Sequence, residues 1–212
     1  MTETDQTPLL ILQNWFSPAF PIGAFSYSSG LEIAIHRGDV DGRASLASWL
    51  TISMLHGTAF TDALFLRAAM ADEDVNDLCL ALCAGAERHR ETTELGAAFI
   101  SVMRQTQAIT LPSGLAYPVA IGMAARQLNL QPQPVLAAFV QAVCMNQISV
   151  AVRTVPIGQI DGQSCLLSLA PVIQQAATRA MTTKVDAVGS FVPGADLCAF
   201  EHETATQRIY RT

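Results

Sequence analysis

Apolar positions along most of the chain recur at helical spacing instead of alternating with polar ones. Residues 43–71 contain no proline, and Leu50, Phe60 and Leu64 fall on or near one helical face. The Ser45 hydroxyl is placed to accept an N–H of the first turn. Alanine, methionine and tryptophan fill much of the remaining circumference, which indicates one long helix buried on several sides.

The same spacing predicts further helices joined by short connectors. The predicted segments are 72–88, 90–107, 116–130, the stretch from Pro134 to 154, 162–181 with a kink or break at Pro171, and 194–207. No long alternating run indicates a sheet. The chain is therefore predicted to be all-α, a single compact helical domain over residues 1–212 with roughly eight to ten helices. Residues 1–8 and 203–212 are expected to be flexible tails.

Composition favours a protein that works with partners. Half of the residues are hydrophobic and 14% are charged, whereas soluble proteins average about 25% charged residues. An apolar surface on such a protein usually marks an assembly interface. The net charge of −6 and the lack of a basic stripe argue against nucleic-acid binding.

Targeting and cysteine patterns favour the cytoplasm. No uninterrupted apolar run reaches the roughly 18 residues of a membrane span, and the polar, acidic start "MTETDQTP" is unlike a secretory signal. The five cysteines are scattered without CxxC spacing, which argues against a disulfide framework or a structural zinc site. We therefore expect a cytoplasmic protein without a membrane anchor.

Catalytic and metal-binding patterns are weak. The glycine-rich stretch 23–30 lacks the lysine of a phosphate loop, and the four histidines show no metal-ligand spacing. We interpret His56 as a satisfied core histidine. In "EHE", 201–203, an exposed and solvated turn is favoured over a metal site, although His202 with Glu201 or Glu203, doubled across a dimer, could form a transient nickel site.

Asp62 suggests an alternative function. A carboxylate among the apolar residues "AFTDALF" needs a buried partner, and Arg153 is a candidate. A pocket formed by His56, Asp62 and Arg153 would indicate a helical enzyme or a small-ligand carrier. A non-enzymatic binding scaffold is favoured, because charges and histidines are few.

Residues 17–32, "SPAFPIGAFSYSSGLE", combine proline and glycine with aromatic residues. Backbone groups in such a segment need partners outside a helix. We expect Phe16, Phe20 and Phe25 to anchor it to the core and Tyr27 to lie at the surface. The segment could be a plug that seals the helical bundle, a docking surface, or both.

Five stretches resemble the urease accessory protein UreF family, in order from residue 9 to residue 212. The first and last are the most specific. They are "LLILQNWFSPAFPIGAFSYSSGLE", "RETTELGAAFI", "YPVAIG", "VRTVPIGQIDGQ" and "HETATQRIYRT". Ala24 stands where the family usually has glycine, and Ile209, Tyr210 and Thr212 replace its usual Leu, Phe and Ser.

The resemblance implies an all-α, non-enzymatic homodimer without a cofactor. Such a protein would bind the accessory protein UreD, also called UreH, and help recruit the GTPase UreG. The assembly would deliver nickel, with carbon dioxide, to apo-urease. Tyr27 and Arg208 match family residues associated with GTPase recruitment, and the C-terminal tail would become ordered when the UreD partner binds.

Two groups of residues are therefore candidate partner-binding sites. Aromatic residues and arginine are favoured there because they bury large areas and still form hydrogen bonds. The candidates are Phe25, Ser26 and Tyr27 near the start, and Glu201, His202, Arg208, Ile209, Tyr210 and Arg211 near the end.

Overall fold

The computed structural model describes residues 6–212, and these form an all-α protein with no β-strand among them. The predicted fold class is confirmed. The α-helices are α1 Thr7–Trp15, α2 Leu31–His36, α3 Arg43–His56, α4 Thr58–Met70, α5 Asn76–Ala81, α6 Ala86–Thr106, α7 Tyr117–Gln127, α8 Pro132–Thr154, α9 Gln159–Ser168, α10 Ala170–Thr182 and α11 Pro193–Thr204. Short 3₁₀ helices span Ala24–Ser26 and Val185–Ala187.

The predicted long helix over 43–71 is wrong, because Gly57 divides it into α3 and α4. Gly57 has extended backbone angles, φ −111° and ψ −160°, so the helical path is interrupted there. Ser45 is the third residue of α3, and its hydroxyl accepts the N–H of Gly42 at 3.1 Å. The hydroxyl thus stabilises the start of α3 from inside the first turn.

Two other boundaries follow glycine and proline. Of the predicted segment 72–88, only α5 and the first residues of α6 are helical, because the chain turns at Gly85 with φ +91°. The break predicted at Pro171 is confirmed. Helix α9 ends at Ser168 and α10 begins at Ala170, with the proline in its first turn, where no N–H is needed.

The core is formed where α4 packs against both α7 and α8, and two glycines permit close backbone approaches. A Cβ added at Gly122 on α7 would lie 2.4 Å from the carbonyl oxygen of Leu66 on α4. A Cβ at Gly96 on α6 would lie 2.1 Å from the carbonyl oxygen of Leu115. Either methyl group would overlap backbone atoms, so α7 needs glycine to approach α4, and α6 needs glycine to approach the loop before α7.

Helix α8, Pro132–Thr154, is long and apolar enough by composition to cross a membrane. Half of its most apolar window is buried inside the protein, where α8 packs against α4 and α10. A core helix passes the same compositional test, and the packing explains the apolarity of α8.

Aromatic side chains fix the N-terminal region to this core. Trp15 meets Phe99 edge-on with ring centroids 5.3 Å apart, and Phe20 lies 5.8 Å from the same ring. Phe16 packs against Phe139 at 6.2 Å. The predicted anchoring by Phe16 and Phe20 is confirmed, and it holds residues 17–32 in one place on the surface of the bundle.

Candidate functional site

The two most specific stretches of the sequence, near its start and its end, lie against each other. The N–H of Ser28 donates to the carbonyl oxygen of Thr212 at 2.9 Å, and the N–H of Arg211 donates to that of Ser26 at 2.8 Å. The C-terminal segment, residues 205–212, packs on a surface formed by residues 25–32 and helices α6 and α11. We call this contact the terminal seam. It is the candidate functional site.

Glu32, in the first turn of α2, receives the backbone of the C-terminal segment. Its Oε1 accepts the N–H of Ile209 at 2.8 Å, and its Oε2 accepts the N–H of Tyr210 at 3.0 Å. Hydrogen bonds to an ionised acceptor are among the stronger ones in proteins. One carboxylate therefore fixes two successive residues of the segment.

His202 is the buried centre of the seam. Its ring is 0% exposed, with Nδ1 2.7 Å from Glu87 Oε2 and Nε2 3.2 Å from Glu32 Oε2. The expectation that "EHE" forms an exposed, solvated turn is wrong for His202, because α11 packs this residue against α2 and α6. Glu201 does lie at the surface, where it pairs with Arg37.

Two arginines of the C-terminal segment pair with carboxylates of α6. Arg208 donates to Glu87 Oε1 at 2.7 Å, and an Nη of Arg211 lies 2.6 Å from Glu94 Oε2. The hydrogen bond from the Tyr27 hydroxyl lowers the pKa of the Glu94 carboxyl. Segment and helix are thus complementary in charge.

The predicted orientation of two aromatic residues is reversed. Phe25 is 60% exposed, whereas Tyr27 is 5% exposed. The Tyr27 hydroxyl donates to Glu94 at 2.7 Å and accepts from Arg211 at 3.1 Å, so its polar end is satisfied beneath the segment. Burial and the bond to Glu94 raise the pKa of Tyr27, which keeps the hydroxyl protonated as a donor.

The remaining candidates take different positions. Tyr210 is buried, and the guanidinium of Arg153 lies 5.4 Å from its ring centroid. Ile209 is 76% exposed. The Ser26 hydroxyl donates to the carbonyl oxygen of Gly23 at 2.8 Å, which closes the short 3₁₀ turn that directs Phe25 outward. All nine candidates lie on α11, in the 3₁₀ helix Ala24–Ser26, at Tyr27 directly after it, or in the C-terminal segment 205–212.

Asp62 has a buried partner, but it is Arg88 and not the predicted Arg153. The Arg88–Asp62 distance is 2.5 Å, and Arg88 also lies 3.4 Å from Glu91. Burial raises the pKa of Asp62 and of Glu91, and the Arg88 charge offsets part of each rise. Arg153 instead bonds its own helix through Ser149.

The proposed pocket of His56, Asp62 and Arg153 does not form. His56 is exposed at the end of α3, so the expectation of a core histidine is wrong. A cavity of about 380 Å³ lies between residues 15–29, α8 and α9, and both Asp62 and Arg153 border it. His56, which the pocket hypothesis required for acid–base chemistry, does not line this cavity.

No group of three or more His, Cys, Asp or Glu side chains among residues 6–212 is arranged to hold a metal ion. The five cysteines are free, and burial raises the pKa of each thiol, that of Cys144 to about 12. Such thiols are poor nucleophiles and poor ligands at neutral pH.

Sequence reasoning missed the carboxylates that receive the segment. Glu87, Glu91 and Glu94 are spaced i, i+4 and i+7, so all three lie on one face of α6. Three like charges on the face of a helix that is otherwise packed against the protein require cationic partners. That spacing was the available signal. Glu91 pairs with Arg88 in the preceding turn, whereas the partners of Glu87 and Glu94 are Arg208 and Arg211, more than a hundred residues away.

Comparisons with known proteins identify relatives that are named urease accessory proteins. The UreF family model matches residues 40–170. A urease accessory protein UreF from Bradyrhizobium sp. is 39% identical over 100% of this chain and 95% of its own length. Those from Rhodopseudomonas palustris and Cereibacter sphaeroides are 41% and 43% identical, over 95% and 96% of this chain and 92% and 98% of their own lengths.

The chain therefore belongs to the UreF family. The family model does not reach residues 17–32 or 205–212, but the relatives align with nearly the whole chain, so both sides of the terminal seam fall within the likeness.

Proposed function

We propose that this protein is a non-enzymatic nickel-insertion chaperone for urease. It acts as a cytoplasmic homodimer that scaffolds a complex with a UreD/UreH-like accessory protein and a UreG-like GTPase. GTP-dependent maturation of the urease nickel site follows within that complex. The observation that carries the proposal is the full-length likeness to proteins named urease accessory protein UreF.

The terminal seam is proposed as the partner-binding surface. Phe25 is 60% exposed and Ile209 is 76% exposed, and large apolar side chains at a surface favour an interface. Glu201, Arg208 and Arg211 add exposed charges beside them. These five side chains are proposed to contact the partner.

Buried candidates are assigned a different role. Tyr27, His202 and Tyr210 are each at most 6% exposed, so we assign them to positioning the segment rather than to contacting a partner. Ser26 is likewise assigned a positioning role, because its hydroxyl closes the turn that exposes Phe25. Mobility of residues 203–212 before the UreD-like partner binds stays part of the proposal.

Co-purification with UreD- and UreG-like proteins from the same cell tests the function. The double variant Phe25→Ala/Ile209→Ala is expected to keep its helix content and to lose most of its partner capture. Ile160→Ala is the matched control, because Ile160 is 83% exposed on α9. Undiminished capture by the double variant would remove the seam from the interface, and no capture by the unmodified chain would overturn the function.

The hydroxyl of Tyr27 gives a finer test. Tyr27→Phe keeps the ring but removes the group that bridges Glu94 and Arg211. We expect unchanged helicity and weaker recruitment of the GTPase, measured by pull-down of the UreG-like protein. Recruitment equal to that of the unmodified chain would contradict the positioning role.

A further inference from the structure

An amide side chain of the core helix α8 is directed toward the turn that exposes Phe25. Asn146 lies on α8, and its Nδ2 donates to the carbonyl oxygen of Ala24 at 2.7 Å, across 122 residues of sequence. Asparagine is a poor residue for a helix interior, because its amide competes with the helix for backbone hydrogen bonds. Its presence in this largely apolar helix therefore needs an explanation outside the helix itself.

The bond from Asn146 joins the turn to the bundle independently of the C-terminal segment. Both the N–H and the hydroxyl of Ser26 donate to the carbonyl oxygen of Gly23, so these two bonds lie within the turn. The carbonyl oxygen of Ser26 accepts the N–H of Arg211. Residues 203–212 are proposed to be mobile before the partner binds, which would release that contact. The bond from Asn146 to Ala24 does not depend on their position.

Beneath the turn, the protein offers the Phe25 ring an alternative to solvent. Phe25, Ala24 and Asn146 all border the cavity of about 380 Å³, whose walls include the rings of Phe16 and Tyr117. A cavity of about 150 Å³ is enough to hold benzene, and burial of an apolar ring is favourable. Phe25 is nevertheless 60% exposed. The turn must therefore be held so that the ring stays outside.

The neighbouring amide of α8 has a different role. Gln147 is 5% exposed, and its Oε1 accepts the indole N–H of Trp49 at 3.0 Å, which joins α8 to α3. Asn146 is only partly buried, and its partner is a main-chain carbonyl of a surface turn. Only the nitrogen of the Asn146 amide can donate to that oxygen, which fixes the orientation of the amide. Loss of Asn146 should therefore affect the turn and leave the contact between the helices intact.

We propose that Asn146 is a positioning residue for partner binding, which holds the carbonyl group of Ala24 so that Phe25 points outward. Without this bond the turn moves toward the cavity, and the Phe25 ring populates an inward orientation. A ring that is already outward before binding reduces the cost of ordering the interface. That a partner meets Phe25 rests on the proposed function, but the orientation of the ring does not.

Fluorine NMR of the full chain tests the orientation of Phe25 without a partner. The phenylalanines are replaced by 4-fluorophenylalanine, the Phe25 signal is assigned by its absence in Phe25→Leu, and a soluble gadolinium chelate reports its exposure through enhanced relaxation. In Asn146→Ala the ratio of outward to inward rings should fall by about two- to tenfold, the effect of losing one hydrogen bond. Relaxation enhancement equal to that of the unmodified chain would overturn the proposal.

Asn146→Asp separates the hydrogen-bond donor from the space that the side chain fills. The carboxylate keeps the size of the amide but has no hydrogen to donate at about pH 8, far above the usual range of carboxyl titration. It should therefore lower the enhancement as Asn146→Ala does. Gln141→Ala is the control, because Gln141 is exposed on α8 and does not border the cavity. An effect of Asn146→Ala that is absent from Asn146→Asp would assign it to side-chain volume and refute the role of the bond.

Capture of a UreD-like protein tests whether Asn146 acts through Phe25. Asn146→Ala should weaken the apparent affinity by about two- to tenfold. In the Phe25→Ala background the same substitution should have no further effect, because two substitutions that act through one contact are not additive. Equal losses in both backgrounds would contradict the positioning role.

The outcomes separate this proposal from the proposed function. An inward Phe25 ring in Asn146→Ala, together with no capture by the unmodified chain, would support the positioning of the ring and overturn the function. Capture that depends on Phe25 but is unchanged in Asn146→Ala would support the function and overturn the positioning role.

Discussion

The helical core and the terminal seam are held together by different interactions. In the core, α4, α7 and α8 bury aliphatic and aromatic side chains, and Gly96 and Gly122 let backbones touch. In the seam, carboxylates of α2 and α6 receive N–H groups of arginines, a histidine and the main chain. The stability of the core depends on how well its side chains fill the available volume, whereas the stability of the seam depends on charge pairing and on hydrogen-bond direction.

This difference predicts that the two regions open separately. Burial of apolar area is cooperative across a packed core, so the core is lost only in global unfolding. The arginines of the seam are partly exposed, and segments with few buried apolar contacts open at low free energy. Substitutions in the core should therefore change global stability, and substitutions in the seam should change local protection.

The largest effect is expected at Phe99, which is 0% exposed and packs against the rings of Trp15, Phe20 and Tyr117. Phe99→Ala should lower the free energy of unfolding by up to about 5 kcal/mol, because it removes buried area and leaves a cavity. Urea denaturation followed by circular dichroism measures the change. The same substitution at exposed Phe25 is the control, and equal losses at both positions would contradict the contrast between core and seam.

Next in size is the buried ion pair of Arg88. Arg88→Met should cost about 3 kcal/mol, because Asp62 and Glu91 are left without their cation. Arg126→Met is the matched control, since the pair of Arg126 with Asp72 is exposed and such pairs contribute about 0–1 kcal/mol. A cost no greater than that of the control would show that the pair is not essential to the core.

The pH dependence of Arg88→Met has a definite sign. Burial already raises the pKa of Asp62, and removing Arg88 removes the charge that offsets the rise. A folded-state pKa above the unfolded one means that the folded chain binds more protons in acid. The difference in free energy of unfolding between the unmodified chain and Arg88→Met should therefore shrink as the pH falls through the range of carboxyl titration. A deficit that grows in acid would contradict this assignment.

Helical spacing predicted the class of fold and most helices, because local periodicity reports which face of each helix is buried. It did not predict the break at Gly57, since glycine is tolerated inside a helix and only tertiary packing decides whether the chain turns there. It also could not pair Asp62 with Arg88, because a buried charge shows that a partner is needed but not which one.

The terminal seam was predicted in part. Motif resemblance selected both of its sides, but spacing could not show that Tyr27 faces inward and Phe25 outward. That orientation depends on Glu94 and Arg211, which reach Tyr27 from distant parts of the chain. His202 looked like an exposed residue because its neighbours Glu201 and Glu203 are charged, yet adjacent helical positions point in different directions.

A smaller, local effect is expected at Glu32. Glu32→Gln removes the ionised acceptor for Ile209 and Tyr210, so docking of the segment should weaken by about 1–3 kcal/mol with little change in global stability. Hydrogen exchange at the two amides measures docking, and urea denaturation measures the whole fold. Glu73→Gln is the control, because the Glu73 side chain is exposed and its partner Arg67 lies outside the seam. Loss of global stability without loss of amide protection would contradict the assignment of Glu32 to local docking of the segment.

The smallest effect, in the reactivity of two thiols, distinguishes seam opening from unfolding. Cys198 on α11 and Cys144 on α8 are both 1% exposed, and burial raises the pKa of each, that of Cys144 to about 12. Local opening of the seam would loosen α11 but not α8. We expect iodoacetamide to modify Cys198 a few-fold faster than Cys144 at neutral pH, and Glu32→Gln to raise only the rate of Cys198. Equal rates that rise together in urea would mean that α11 opens only with the core, and that seam and core form one cooperative unit.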